Sequence, residues 1–487
     1  VDKNEVERIV VLSNTGIKVA NNQILIRKVT VIFLLFSGIW IGAATSFFEI
    51  SLVFSVLAGI ISSDLLENEF VPYSVILILV FQNLLIGTGS HLIGNLSGLT
   101  YLTQVPMVFV WTINLCLKKV DKLSKVDISF IVLMIFSLAS LSFGRGPIQA
   151  IISNLRDLST FYFTYRIGKR FIKTEEIFAR FIKKILYLGI FVVLIGILLY
   201  LGGYPLNKFL GIDEIYYAKG VTTLLNNFDG RFGSDIFGIS VTRMGSIYFE
   251  PINLGYLIFS MLIISFIFFN TQKLKYINLY RLILLIGGML TFGKGAMLLA
   301  IGVMVAGIGH KLFLKFFPRS NEMNVFRNLF IMLTIIMFIG GNYYFKTFGG
   351  AVGNHFYAIQ GTLDSISHRP IGFGLGVGGN ASAVFTGGEL DFTTGSETAL
   401  LSFVYQIGVQ GAIALICVFY FMSKEVLEKV QKNSQFKNRF LFYVPMILIF
   451  VSIYQANTYT PQCITLLMIT LGGFVGMRDS TRKKNNG

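Results

Sequence analysis

Fourteen apolar stretches divide this chain, and nothing else constrains its fold as strongly. They cover 29–45, 48–63, 73–89, 99–117, 127–142, 155–168, 185–202, 250–269, 280–292, 296–309, 325–341, 397–421, 440–455 and 462–476. A helix that crosses a bilayer needs about 20 apolar residues, fewer if it is broken or sheltered by neighbours. Hydrophobic residues make up 54% of the 487 and charged ones 14%, and mean hydropathy is +0.69. A soluble domain has about a quarter of its residues charged, and disorder needs low hydrophobicity, so both are excluded. The expectation is an all-α, polytopic integral membrane protein with about 12–14 transmembrane helices. Residues 29–477 would form a single transmembrane domain. A cytoplasmic segment, 1–28, precedes it, and a basic cytoplasmic tail, 478–487, follows it.

Several stretches are short. The pair 280–292 and 296–309 is expected to be sheltered by neighbours. The stretch 155–168 carries Tyr162, Tyr165 and Arg166 and reads as half-buried or re-entrant. The first 28 residues mix charge with short apolar runs, so the run from Val29 reads as a retained span and not a cleaved signal. Cys116, Cys417 and Cys463 all lie in apolar runs without metal-ligand spacing, which makes them small apolar fillers.

The formal charge of +16 is first a topological signal, because cytoplasmic loops collect Lys and Arg. With the N-terminus inside and sides alternating, 32 of the 41 basic residues fall inside. The other nine are Arg145, Arg156, Lys208, Lys219, Arg231, Arg243, Lys294, Lys346 and Arg369. No nucleic-acid partner is needed to account for the charge. Two outer loops are long, 203–249 and 342–396, and the second holds the Gly-rich run 371–379. Loops of that length are usually functional or disordered.

Five outer cations stand in suggestive contexts. Arg145 lies in Phe143-Gly-Arg-Gly-Pro147 and Arg156 in Asn154-Leu-Arg-Asp-Leu158. Arg243 precedes a Phe-Glu-Pro helix start ending at Pro251. Lys294 occupies Phe292-Gly-Lys-Gly295, and Arg369 follows His368. An interfacial cation can be a plain anchor, its stem snorkelling to water. Flanking glycines, however, let a ligand or a second backbone approach, and short spans expose helix N-termini that attract anions. Arg can also grip a diphosphate with two donors at once. Glu250 and Glu397 read either as helix-start acids or as Arg partners and proton acceptors. His368 reads either as an exposed loop histidine or as a general base. No metal cluster is evident. The Gly374-Leu-Gly376-Val-Gly378 pattern lacks the strand–turn–helix context of a nucleotide site.

With these residues in place, the sequence resembles the O-antigen polymerase/ligase superfamily, polytopic glycosyltransferases that act on undecaprenyl diphosphate-linked glycans. The resemblance rests on four features: the Arg243 to Pro251 helix start, the Phe-Gly-Lys-Gly turn, His368-Arg-Pro-Ile-Gly-Phe-Gly-Leu-Gly376 in the late outer loop, and Gly395-Ser-Glu-Thr followed by Tyr405-Gln-Ile-Gly-Val-Gln-Gly411. That family commonly has Ser-Arg-Gly at the split turn, so Lys294 keeps the charge but lacks the fork. The resemblance implies a GT-C-like glycosyltransferase in the bacterial cytoplasmic membrane, with both termini cytoplasmic and an extracytoplasmic active site. Arg145, Arg156, Arg243, Lys294 and Arg369 would bind diphosphate, and His368 or Glu250 would accept the proton. Glu397 and Tyr248 would support them. No cofactor or metal is implied, and the partners would be donor and acceptor lipid-linked glycans, a flippase and a chain-length regulator. A ligase that transfers a finished glycan to another acceptor, and a lipid-linked oligosaccharide flippase, remain alternatives.

Overall fold

The computed structural model describes residues 3–65, 68–92, 99–117, 122–218, 232–236, 239–268, 276–317, 324, 325, 328, 331, 332, 351–386, 391–432 and 441–478. The first apolar stretches become α1 (Lys3–Thr45), α2 (Phe48–Ser63), α3 (Phe70–His91), α4 (Leu99–Leu102) and α5 (Val105–Cys116). Next come α6 (Lys125–Ala139), α7 (Ile148–Phe171), α8 (Glu175–Phe209) and α9 (Ile212–Ala218). Strands β1 (Gly233–Ile236) and β2 (Ile239–Thr242) pair antiparallel, with Gly233 opposite Thr242. The chain continues through α10 (Pro251–Phe268), α11 (Ile277–Leu290), α12 (Lys294–Phe316), α13 (Ala351–His368) and α14 (Gly379–Thr386). It closes with α15 (Ala399–Lys432), α16 (Val444–Val451) and α17 (Pro461–Gly476).

Among the described residues, six helices are long and apolar enough to cross a membrane: Asn22–Thr45, Phe70–His91, Lys125–Ser142, Glu175–Phe209, Lys294–Phe316 and Ala399–Gln431. The chain is therefore a helical, polytopic membrane protein. Shorter apolar helices accompany them, α2, α5 and α17 included. A 16-residue helix is about 24 Å long, less than the ~30 Å hydrocarbon core. Shelter resolves this for α17, where Cys463 to Phe474 are all buried. It does not do so for the 280–292 and 296–309 pair. Leu279, Leu282, Leu285, Ile286 and Met289 of α11 are exposed, and α12 continues to Phe316 as a full-length helix.

Helix α1 begins at Lys3 and runs without interruption into the span Asn22–Thr45. Two further expectations change. The stretch 155–168 is the middle of α7, whose 24 residues reach about 36 Å. α7 is buried despite its polar sequence because it packs along α17 at backbone distance. A Cβ on Gly472 would lie 1.9 Å from the Tyr165 carbonyl, and one on Gly168 2.1 Å from that of Ile469. The two long loops carry regular structure. Helix α8 runs on past Gly203 to Phe209, followed by α9 and the hairpin, while α13 and α14 fill much of 342–396. The candidate span 325–341 lies almost wholly outside the described residues.

The two ends of the bundle differ in chemistry. At one end Glu69 meets Lys184 at 3.1 Å and Arg180 at 3.4 Å, and Lys169 meets Glu425 at 2.7 Å. Ser124 and Asp127 form a capping box at the start of α6, and the Tyr162 hydroxyl donates to Asp127 at 2.6 Å. The cations Lys28, Lys169, Arg180 and Lys184 lie at this end. The opposite end carries the His91–Glu214 and Arg156–Asp157 pairs, both at 2.7 Å, and a set of buried amides and hydroxyls.

Candidate active site

At that opposite end a cavity of about 300 Å³ opens among the helices, at the small end of ligand-site volumes. Each contributing helix presents the same end to it. α3 supplies Gln82 and Asn83 from its second half, and α7 supplies Ser153, Asn154, Arg156 and Asp157 from its first turns. Gln104 precedes α5, Glu250 and Asn253 begin α10, Thr398 and Ser402 begin α15, and Asn457 and Gln462 flank the start of α17.

Arg156 is the cation in this lining. Its Nε donates to Asp157 Oδ1 at 2.7 Å, Nη1 to Gln104 Oε1 at 3.2 Å and Nη2 to Ser153 Oγ at 3.2 Å. A guanidinium has five N–H groups, so these bonds fix its plane and leave donors over. The Arg156 and Asp157 side chains are only 12% and 16% exposed. Removing either partner would strand a charge in a poorly solvated place.

Two amide networks form the walls. Asn154 donates to Gln406 Oε1 at 2.8 Å, the Gly376 N–H donates to the same oxygen at 2.9 Å, and Gln406 Nε2 donates to Ser402 Oγ at 3.0 Å. Opposite, Asn253 donates to Gln462 Oε1 at 2.6 Å and Asn457 to Asn253 Oδ1 at 3.2 Å. Asn83 donates to the Tyr248 carbonyl at 2.5 Å. Buried polar groups linked in this way hold one arrangement.

The Gly-rich run closes the first wall. Helix α15 breaks at Gly408 (φ +74°, ψ −178°), which frees carbonyls upstream of the break. The Phe373 N–H donates to the Tyr405 carbonyl and the Gly374 N–H to that of Gln406, both at 3.0 Å. Glycine is needed here because a Cβ on Gly374 (φ +110°) would lie 2.1 Å from the Gly144 carbonyl oxygen, and one on Gly146 1.8 Å from that of Gly376. The glycines around Arg145 therefore admit a second backbone. Gly295, beside Lys294, packs under the Tyr256 hydroxyl and Gln455.

The residues expected to form the site are placed as follows. Arg156 and Glu250 share the cavity lining, and Glu250 is 4% exposed. Arg145 is exposed and donates to the Leu141 carbonyl at 3.4 Å. Arg369 donates to the Phe143 carbonyl at 2.9 Å and lies 5.3 Å over the Phe373 ring, bracing the glycine junction. Arg243 donates its N–H to Phe232 beside the hairpin, and the next residue, Met244, bonds to Leu290 at the end of α11. Lys294 is exposed at the start of α12. Neither Arg243, Lys294, Arg145 nor Arg369 lines the cavity, so the five cations do not share it. His368 is exposed on the last turn of α13, its Nδ1 2.9 Å from the Asp364 carbonyl. Tyr248 is buried, and the Glu397 N–H donates to Asn380, a lining residue. Among the described residues no group of three or more His, Cys, Asp or Glu is placed to hold a metal ion.

Asp157 and the amides do not stand out in the sequence as site residues. The available signal was Gln82-Asn83 inside an apolar run, since polar side chains inside membrane helices usually hold neighbours or substrates. No family model, curated protein or solved structure matches the chain.

Proposed function

We propose that the protein is a membrane glycosyltransferase of the O-antigen polymerase/ligase kind, with a GT-C-like arrangement of about 12–14 spans. It would join undecaprenyl diphosphate-linked repeat units into a surface polysaccharide on the outer face of the bacterial cytoplasmic membrane. The observation that carries this reading is the cavity's chemistry: one guanidinium held by three partners, two carboxylates, and a set of neutral amides and hydroxyls, beside apolar side chains such as Ile86, Ile215, Phe385 and Phe403. A polyol is matched by amides and hydroxyls, and a diphosphate by the fork of Arg156. An acceptor hydroxyl attacks the anomeric carbon of the donor. Its proton passes to Glu250, and the electrons of the breaking C–O bond leave with undecaprenyl diphosphate. Arg156 stabilises the charge growing on that leaving group, a contribution often dominant in catalysis. His368, exposed and outside the cavity, is the second candidate for accepting that proton. Arg145, Arg243, Lys294 and Arg369 would act outside the cavity, in guiding the lipid diphosphate.

A transporter of lipid-linked oligosaccharide is the second reading. Broken helices at Gly203 and Gly408 favour it, because transporters bind substrate at such interruptions. Purified protein given a defined undecaprenyl diphosphate repeat unit separates the two. A ladder of products on a gel supports polymerisation, and transfer to a different acceptor supports a ligase. Lipid crossing the bilayer with no glycosidic bond formed defeats the enzyme reading.

A further inference from the structure

At the end of the bundle opposite the cavity, cations from α1 and α8 gather round a carboxylate at the start of α3. Glu69 accepts from both Lys184 and Arg180. Lys28 of α1 lies within electrostatic reach of all three. The acid points inward and the bases outward: the Glu69 side chain is 10% exposed, against 55% for Arg180 and 43% for Lys184. Lys28 and Lys184 each lie 5.7 Å over a ring, Phe70 and Tyr73 respectively. Positive charge therefore exceeds negative in this cluster among the described residues, on a surface open to the side of the bundle.

An apolar trough leads away from it. Along α3, Tyr73, Leu77, Phe81 and Leu84 are only partly buried, while most of the residues between them are buried. Steps of four, four and three residues place them on one helix face. α1 and α8 both pack against α3 but scarcely against each other, so this face forms the floor between two walls. The Phe81 ring lies 5.6 Å from Phe36 of α1 and 6.1 Å from Phe191 of α8. From Tyr73 to Leu84 the floor runs about 17 Å, close to one leaflet of a ~30 Å core.

We propose that this trough binds one anionic phospholipid, its phosphodiester against Lys28, Arg180 and Lys184 and an acyl chain along Tyr73, Leu77, Phe81 and Leu84. The excess of positive charge selects an anionic headgroup, and the apolar floor distinguishes a lipid from free phosphate. The test uses the full chain, delipidated in detergent and titrated separately with phosphatidylglycerol, phosphatidylcholine of the same chains, and inorganic phosphate. Native mass spectrometry reads the bound lipid. Phosphatidylglycerol should bind tightest, and inorganic phosphate should fail to displace it. Arg180→Gln and Lys184→Gln should each weaken it about fivefold. Lys315→Gln, an equal charge change on the exposed last turn of α12, should not weaken it. Glu69→Gln should leave binding as tight or tighter. Melting curves without lipid check that each variant is folded, and any unfolded variant is replaced by Lys28→Gln with the same expectation. Equal affinity for phosphatidylcholine, displacement by inorganic phosphate, or a loss in Glu69→Gln matching that in Lys184→Gln would each overturn the proposal.

Discussion

Arg156 is held by Asp157, Gln104 and Ser153 at the lining of the cavity, and the proposed chemistry depends on it most. Arg156→Gln should lower turnover about 10²- to 10³-fold, as loss of one electrostatic stabiliser does, while the purified protein still elutes as one species. Arg156→Lys keeps a charge without the planar fork and should fall between the two. Wild-type turnover in Arg156→Gln would remove the residue from the mechanism. In the sequence Arg145 is a candidate because glycines flank it. A glycine looks the same in sequence whether a ligand or a backbone fills the space it leaves. In the fold, Gly144 and Gly146 are filled by the run around Gly374 and Gly376. Asn154 and Gln406 meet although 252 residues separate them, and no local pattern carries such a pairing.

Among the elements, the two broken helices respond differently to the same change. A Cβ added at Gly203 (φ +58°) would meet only Pro205 Cδ, at 3.9 Å, whereas a Cβ at Gly408 would sit 2.5 Å from the Pro370 carbonyl oxygen. Gly203→Ala should therefore cost about 1–3 kcal/mol, the backbone strain of a side chain at φ +58° and ψ −156° alone. Gly408→Ala adds a backbone clash and should lower the melting temperature clearly more; similar losses in both would contradict the docking of α15 against the Gly-rich run. Gln406→Ala strands the Gly376 N–H and the Asn154 amide and should cost about 1–3 kcal/mol per group left unsatisfied, read from the same melts. Helix positions were legible because apolar runs reveal them directly: α2 spans the same residues, 48–63, as its apolar stretch. The helices in 342–396 were not, because α13 and α14 are short or polar and fall between spans.

For the whole molecule, the ion pairs around Glu69 and Glu425 lie at one end and the amide-lined cavity at the other. The placement of Lys and Arg in the sequence predicts a sidedness that labelling can test, whereas the cavity itself depends on tertiary packing. If the cavity faces outward, Ser402→Cys and Asn457→Cys should react with a membrane-impermeant thiol reagent in intact cells, and Lys429→Cys only after permeabilisation. The reverse pattern would invert the topology.

The most direct measurement is elongation by the reconstituted protein supplied with one defined undecaprenyl diphosphate-linked repeat unit, run beside its Arg156→Gln variant. A ladder from the first and almost none from the second is the predicted result. No glycosidic bond from the wild-type protein, or equal ladders from both, would contradict the claim that this cavity joins lipid-linked glycans.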